Sequence, residues 1–131
     1  MRKPVVAAVG LVAVLAVAAC ETPPSTQELV EQGELVRMTT DEISEAITGN
    51  SEVWPGQGAA YYQEDGTLLA IWEGDEAEGT WWVENDVRCY DVAEWGGEWC
   101  HEFYRRGEEI VLTRQGKNKI LPNLIEEGNK L

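Results

Sequence analysis

The chain has 131 residues, of which 24 are acidic and 10 basic, and its formal net charge is −14 at neutral pH. This length allows a single domain of ordinary size. The negative charge disfavours nucleic acid and anionic lipid head groups as partners, because binding them requires clustered Lys and Arg. Most of the carboxylates are expected to form a solvated, acidic surface.

The first 20 residues have the layout of an export signal. Arg2 and Lys3 give a positive start, residues 5–19 form an apolar run, and small residues precede Cys20. The run is shorter than the ~20 apolar residues with which a helix crosses the hydrocarbon core, which disfavours a permanent transmembrane helix. Removing residues 1–19 leaves 8 basic against 24 acidic residues, a formal charge of −16.

The segment from Leu15 to Cys20 resembles the lipobox of bacterial lipoproteins, with Val17 where leucine is commoner. The resemblance implies that Cys20 becomes the lipidated first residue of the mature chain. A lipid there would anchor a periplasm-facing protein to the cell envelope. Glu21 beside it favours the outer membrane over the inner one. The alternative is an ordinary cleaved signal peptide that ends at a cysteine by chance.

Residues 20–37 are predicted to form the lipidated N-terminus and a flexible tether, because prolines and polar residues resist regular structure there. Residues 27–32 offer at most one short helical turn. A stronger helix signal follows at about residues 40–48, where a capping box, a hydrophobic staple and a C-terminal glycine coincide. The residues that give these three signals are Thr39 with Glu42, Met38 with Ile43, and Gly49.

From residue 58 onward, short runs of aromatic and β-branched residues alternate with turn residues such as Asp65-Gly66 and Asn85-Asp86. We therefore predict a mainly β domain over residues 38–131. It would combine one short helix with an antiparallel meander of six or seven strands, as a curled sheet or small barrel. The predicted strands are 59–63, 67–73, 79–84, 87–92, 98–105, 109–114 and a run at 119–126 that Pro122 would place at an edge.

With Cys20 assigned to lipid, Cys89 and Cys100 remain and fall on consecutive predicted strands. In an oxidising compartment such a pair is expected to form a disulfide. The alternative is a metal site that adds His101, the only histidine in the chain. Three ligands fall short of a closed tetrahedral site, so we predict the disulfide and neither a metal nor a cofactor.

Six tryptophans are a large aromatic content for this length. Period-two alternation puts Trp81 and Trp82 on opposite faces of a strand, so one of them points away from a one-sided core. Trp72, Trp82 and Trp99 are therefore candidate binding residues for a glycan or an apolar ligand. The alternative is that the aromatic residues only fill the core, with Trp54 capping the end of the barrel.

Two further kinds of site are less well supported. The acidic run from Glu73 to Glu78 offers the oxygen ligands that Ca²⁺ prefers, but its spacing matches no known calcium loop and a solvated acidic loop explains it without a metal. No serine lies in a strand-turn-helix elbow that would pair with His101, and no spacing singles out two carboxylates for glycoside hydrolysis. We assign no catalytic residue.

An ordered series of short motifs runs from about residue 38 to residue 114. The motifs are Gly49-Asn50, residues 61–67, Gly79-Thr80-Trp81, Cys89-Tyr90, and Cys100 with Tyr104. The series resembles small exported alphaproteobacterial proteins of unknown function, in which a threonine-capped helix ending in Gly-Asn precedes Y-x-x-D-G-T, G-T-W and paired C-Y motifs. The resemblance implies no activity and no catalytic residues. The chain differs in its acidic run after Trp72 and in its extra tryptophans.

The leading functional hypothesis is a non-enzymatic, membrane-anchored periplasmic lipoprotein that binds an envelope protein or glycan. A small-ligand-binding barrel and a small envelope enzyme acting on glycans are the alternatives. The placement of the tryptophans distinguishes the first two hypotheses. An outward patch favours a surface partner, whereas a hollow lined by tryptophans favours a small ligand.

Overall fold

The computed structural model of the protein describes residues 24–117, 119–121 and 124–131. The predicted signal peptide, Cys20 and Pro122 lie outside the described residues. No helix within those ranges is long and apolar enough to span a membrane. The elements in chain order are α1 (Thr26–Glu31), β1 (Val36–Arg37), α2 (Thr40–Ile47), β2 (Asn50–Trp54), β3 (Gly58–Tyr62), β4 (Thr67–Trp72), β5 (Asp75–Glu84), β6 (Val87–Val92), β7 (Gly97–Arg106), β8 (Glu109–Arg114), β9 (Ile120–Leu121) and β10 (Leu124–Glu127).

The strands form one antiparallel sheet in the order β10-β2-β3-β4-β5-β6-β7-β8-β9, and β1 pairs separately with β7. Strands β9 and β10 follow each other in the chain but stand at opposite edges of the sheet. The sheet therefore curls into a half-barrel. This confirms the prediction of a mainly β domain built from an antiparallel, curled meander. The described residues form ten strands where six or seven were predicted, because β1 and β2 are added and the last run forms two strands, β9 and β10.

Strand β2 is the main element that the sequence pattern did not indicate. Its sequence, Asn-Ser-Glu-Val-Trp, has little β-propensity in its first half. It forms because it pairs on one side with β3 and on the other with β10. The side chain of Ser51 adds a tie to the C-terminal segment, donating to the carbonyl of Gly128 and accepting from the amide of Lys130.

Helix α2 begins where the capping signals placed it. The hydroxyl of Thr39 accepts from the amide of Glu42, and the carboxylate of Glu42 accepts from the amide of Thr39. The β5–β6 turn also holds the helix, because Asp86 Oδ1 accepts from the amide and the hydroxyl of Thr40. The predicted helix and its capping box are thus confirmed.

The inner face of the sheet packs against α2, which lies over β2, β5 and β6. The pleat makes alternate residues of each strand face inward, and these interlock with Ile43 and Ile47 of the helix. The buried residues of this core are Met38, Ile43, Ile47, Ala60, Tyr62, Leu68, Ala70, Tyr90, Val92, Phe103 and Leu112.

The segment before α2 packs against the outer face of the sheet. Leu35 is buried with Tyr104 and Val111, and Leu29 of α1 lies beside them. Ser25 caps α1 by accepting from the amide of Glu28. The described segment from Thr26 to Arg37, which lies before the predicted domain boundary at residue 38, is therefore folded against the sheet, because it covers the apolar outer face of β7 and β8.

Cys89 and Cys100 form a disulfide between directly paired positions of β6 and β7, as predicted. Trp82 of β5 pairs with Cys89, whereas Trp81 pairs with Tyr90 of the inner core. The disulfide and Trp82 therefore share the outer face, and Trp81 belongs to the inner one.

The acidic run from Glu73 to Glu78 is not the loop that the sequence suggested. Only Glu73 and Gly74 form the β4–β5 turn, and both have positive φ. Strand β5 already begins at Asp75, and along it Ala77 packs against the core while Glu76 and Glu78 are exposed. The exposed carboxylates of this strand point into solvent, as the alternation of a strand requires.

Candidate ligand-binding cavity

An open cavity of about 580 Å³ lies on the inner side of the half-barrel. Its volume is in the range of pockets that hold drug-sized ligands. Aromatic rings make up most of its wall. The lining residues are Glu52, Trp54, Pro55, Gln57, Trp72, Tyr90, Trp95, Trp99, His101 and Leu121.

Five strands and two turns supply this lining, with Pro55 and Gln57 in the turn between β2 and β3. Trp54 ends β2, Trp72 ends β4, and Tyr90 and Trp99 lie directly opposite each other on β6 and β7. Trp95 belongs to the short 3-10 turn between β6 and β7. Side chains alternate between the two faces of a strand, so aromatic residues from separate strands can lie on the same concave face of the curled sheet.

The tight pairing of β3 and β4 helps to place Trp72. Gly58 of β3 lies opposite Trp72, and a Cβ atom at Gly58 would collide with the carbonyl oxygen of Ile71. Only glycine lets the two strands approach this closely. The end of β4, and with it the Trp72 ring, is therefore held against β3.

The aromatic rings support one another in edge-to-face contacts. The ring of Trp54 meets those of Trp72 and Trp95 with centroid distances of 5.3 and 5.8 Å, and Tyr90 meets Trp95 at 5.5 Å. The indole of Trp99 donates to the carbonyl of Trp95. These contacts fix the rings in place before any ligand arrives, so the cavity is preformed.

A buried polar network lies between the cavity and the core. The guanidinium of Arg88, which is fully buried, donates from Nη1 to Glu52 Oε1 at 2.8 Å and to the Tyr62 hydroxyl at 2.9 Å. Tyr62 donates to Glu52 Oε1 at 2.6 Å, and the indole of Trp54 donates to Glu52 Oε2 at 2.8 Å. The charges of Arg88 and Glu52 therefore compensate each other at the floor of the cavity.

Aromatic faces enclose the rest of the Arg88 guanidinium. Its central carbon lies 4.5 Å from the ring centroid of Tyr90 and 5.4 Å from that of Phe103. Within the described ranges its Nε has no hydrogen-bond partner. Attraction between the cation and the ring faces offsets part of that loss. Burial raises the pKa of Tyr90 to about 12, so its hydroxyl stays protonated.

His101 connects this network to the cavity. Arg88 Nη2 lies 2.7 Å from His101 Nδ1, and a guanidinium only donates, so Nδ1 accepts and the ring proton is on Nε2. Burial and the neighbouring charges of Arg88 and Arg114 lower the pKa of His101 to about 3. The imidazole is therefore neutral at physiological pH, with one fixed tautomer.

Several hydrogen-bonding groups of the wall have no partner within the part of the chain that the structure describes. Nε2 of His101 and the hydroxyl of Tyr90 are two of them, on rings whose centroids lie 6.1 Å apart. The indole N–H groups of Trp72 and Trp95 and the side-chain amide of Gln57 are further ones. His101 and Tyr90 give the largely aromatic wall two neighbouring uncharged donors.

The structure brings together two of the three candidate binding tryptophans. Trp72 and Trp99 line the cavity, whereas Trp82 is on the outer face beside the disulfide. Trp54 forms part of the cavity wall, where the sequence suggested only an end cap. His101 faces the inner side, away from the two cysteines with which a metal site would have combined it.

Several residues of the cavity were not predicted. Glu52 and Arg88 are single charged residues in strands, and charged residues usually point outward, so only the fold shows that they are buried. Trp95 and Tyr90 were noted only as part of the aromatic content. The alternation of Arg88, Tyr90 and Val92 along β6 was the one available signal that these three side chains share a face.

Comparison of the chain with known protein families, with curated proteins and with solved structures found no match, so its function has to be inferred from the cavity itself.

Proposed function

We propose that this protein is an exported, lipid-anchored binding protein whose β-domain holds a small, largely apolar ligand in the aromatic cavity. The observation that supports this most strongly is the convergence of four tryptophans on one preformed hollow of about 580 Å³. The four are Trp54, Trp72, Trp95 and Trp99.

The four cavity tryptophans are not members of the buried core. Helix α2 and the inner face of the sheet, including Tyr90, form that cluster. Trp54, Trp95 and Trp99 pack against it, and all four tryptophans remain partly exposed around the hollow. Concave apolar surface of this kind is uncommon on soluble domains and typically marks a binding site. A ligand that removes it from water gains roughly 25 cal/mol for each Å² of apolar surface buried.

The shape of the cavity favours a compact ligand over an extended glycan chain. Trp54 meets Trp72 and Trp95 at interplanar angles of 71° and 72°, so the rings form the walls of a hollow. A stacking platform for sugars would instead present flat, open ring faces. The walls therefore suit a molecule that enters between them.

The geometry also favours binding over acid-base catalysis. His101 is the only histidine in the chain, and its Nδ1 already accepts from Arg88. With a pKa of about 3 it is a weak base at neutral pH, whereas an effective general base has a pKa near the working pH. Glu52 is likewise engaged, by Arg88, Tyr62 and Trp54.

Equilibrium dialysis of the purified protein against isopropenylnaphthalene, an uncharged hydrocarbon, tests the proposal. We expect saturable binding with a Kd on the order of 10 μM, which corresponds to about 7 kcal/mol. Trp72→Ala removes a wall and should weaken binding about tenfold. Trp82→Ala removes the same residue type from the outer face and should leave the Kd unchanged. Absence of saturable binding, or equal effects of both substitutions, would contradict the proposal.

A further inference from the structure

We propose that the cavity selects uncharged ligands that carry a hydrogen-bond acceptor, such as a ketone, ester or amide carbonyl, and that His101 and Tyr90 donate to it. This inference rests on the proposed function and specifies the chemical class of the ligand. The wall is apolar apart from a few groups, so those groups determine which ligand fits.

The donors follow from the hydrogen bonds already made. Arg88 occupies Nδ1 of His101, which leaves a proton on Nε2, and within the described residues nothing accepts it. The hydroxyl of Tyr90 also has no acceptor among the described residues, and the ring centroids of Tyr90 and His101 are 6.1 Å apart. A carbonyl oxygen has two lone pairs, so a single ligand oxygen can accept from two donors that lie on paired strands.

The charge balance argues against an anionic ligand. A carboxylate entering a cavity normally needs an unpaired cation, but the guanidinium of Arg88 is committed to Glu52 at 2.8 Å and is fully buried. His101 stays neutral because it is buried and because Arg88 donates to its Nδ1. Arg114, whose guanidinium lies 4.0 Å from the Trp99 ring centroid, is exposed, so solvent and salt screen its charge. A carboxylate at the floor of the cavity would therefore lose its hydration without gaining a buried counter-charge. The net charge of −14 adds long-range repulsion of anions.

The charge balance argues against a cationic ligand as well. Aromatic walls attract cations, but the Tyr90 face is already covered by Arg88 at 4.5 Å and the Trp99 face by Arg114 at 4.0 Å. Two of the ring faces that would hold a cation are therefore occupied by the protein's own arginines. An uncharged acceptor uses the remaining donors without competing for these faces.

Three probes of nearly the same shape test this selection. Acetylnaphthalene carries a ketone, isopropenylnaphthalene replaces its oxygen with a methylene group, and naphthoate replaces its methyl group with a charged oxygen. Equilibrium dialysis against the intact protein at neutral pH gives the three Kd values. We expect the ketone to bind about tenfold more tightly than the hydrocarbon, equivalent to about 1.4 kcal/mol, and naphthoate to bind most weakly.

Two variants assign the preference to the named donors. Tyr90→Phe removes one hydroxyl and keeps the ring, and His101→Phe removes the Nε2 proton. Each should reduce the preference for the ketone over the hydrocarbon, taken as the ratio of the two Kd values measured on the same variant, to about threefold or less. If His101→Phe does not fold, the three Kd values on the unmodified protein and on Tyr90→Phe still show whether the Tyr90 hydroxyl contributes to the ketone preference.

The outcomes separate the two proposals. Equal binding of ketone and hydrocarbon, or tightest binding of naphthoate, would overturn the selectivity and leave the proposed ligand-binding function standing. An unchanged ketone preference in both variants would overturn the role of the two donors. Failure of all three probes to bind would contradict the proposed function, and the selectivity with it.

Discussion

Arg88 carries a full charge into the interior of a small domain, and the structure shows how it is balanced. Burying an unpaired guanidinium costs several kcal/mol, and a carboxylate at hydrogen-bond distance with further donors recovers most of that cost. Glu52 accepts from Arg88, Tyr62 and Trp54 at once. The pair therefore fixes three side chains around the cavity in addition to cancelling the charge.

Removing the negative partner alone should be strongly destabilising. Glu52→Gln keeps the shape but leaves Arg88 without its counter-charge, so we expect the free energy of unfolding to fall by about 3 kcal/mol. Urea denaturation followed by far-UV circular dichroism measures this. Glu78→Gln, an exposed carboxylate of β5, is the matched control and should change stability by less than about 0.5 kcal/mol. A loss below about 1 kcal/mol for Glu52→Gln would show that the pair is not needed to balance Arg88.

His101 predicts a specific pH dependence of stability. Its pKa falls from an ordinary value of 6.5 to about 3 in the folded protein. Between pH 6.5 and about 3, His101 is therefore protonated in the unfolded chain but not in the folded protein. The contribution is fully present above pH 6.5 and is lost as the pH falls from about 6.5 toward 3.

We expect His101 to account for about 3 kcal/mol of stability lost between pH 7 and pH 4, at about 1.4 kcal/mol for each pKa unit. Denaturation at several pH values, for the unmodified protein and for His101→Phe, isolates this part because other groups titrate equally in both. The variant should lose correspondingly less stability over this interval. Parallel curves for the two proteins would indicate that His101 titrates normally.

At the residue scale, the sequence was informative where a local rule applied and silent where only the fold decides. Period-two alternation correctly separated Trp81 from Trp82, because a strand imposes it on any side chain. It could not show which of the two faces carries the cavity, and the candidate Trp82 is on the other one. Nor could it show that Glu52 and Arg88 meet, since they are 36 positions apart.

At the scale of elements, the β6–β7 hairpin carries the disulfide on its outer face. The Cys89–Cys100 bond closes a short loop with a sequence separation of 11, and such a loop contributes about 2 to 3 kcal/mol by restricting the unfolded chain. The same hairpin supplies Tyr90, Trp95, Trp99 and His101 to the cavity. Its stability therefore matters for the site on the opposite face.

Replacing Cys89 and Cys100 with serine should lower the free energy of unfolding by about 2 to 3 kcal/mol. Thermal unfolding under non-reducing conditions measures this, and the unmodified protein treated with a reductant should show a similar loss. Retention of full stability in the double variant would mean that strand pairing alone holds the hairpin.

The elements that could be predicted are those specified by neighbours in sequence. Helix α2 follows from its capping box, and the hairpins follow from their turn residues. Strands β1 and β2 could not be predicted, because each forms by pairing with distant residues, whereas α1 lies where a short helical turn was expected. Leu35 packs against an outer apolar patch formed by Tyr104 and Val111, and this patch exists only once the sheet has formed.

At the scale of the whole molecule, the fold separates stability from binding. Helix α2 and the outer disulfide hold the sheet in its curve, and the concave side opposite the disulfide keeps a hollow that they do not fill. A lipid on Cys20 would place this hollow at the surface of a membrane, where apolar compounds concentrate.

Cys20→Ser tests the proposed anchor in cells. The substitution removes the acceptor of the lipid, so the protein should move from the membrane fraction to the soluble periplasmic fraction. Cell fractionation with immunoblotting measures this, and the doubly substituted Cys89 and Cys100 variant should remain with the membrane. Equal membrane association of the Cys20→Ser variant would contradict anchoring through that residue.

The most direct test of ligand binding is to observe the six indole N–H signals by NMR during a titration with isopropenylnaphthalene. If the ligand enters the cavity, the four cavity tryptophans should shift and the remaining two, one in the core and one on the outer face, should not. Shifts in none of the four, or the largest shift on the outer face, would contradict the account. The cavity set is Trp54, Trp72, Trp95 and Trp99, and the reference pair is Trp81 and Trp82.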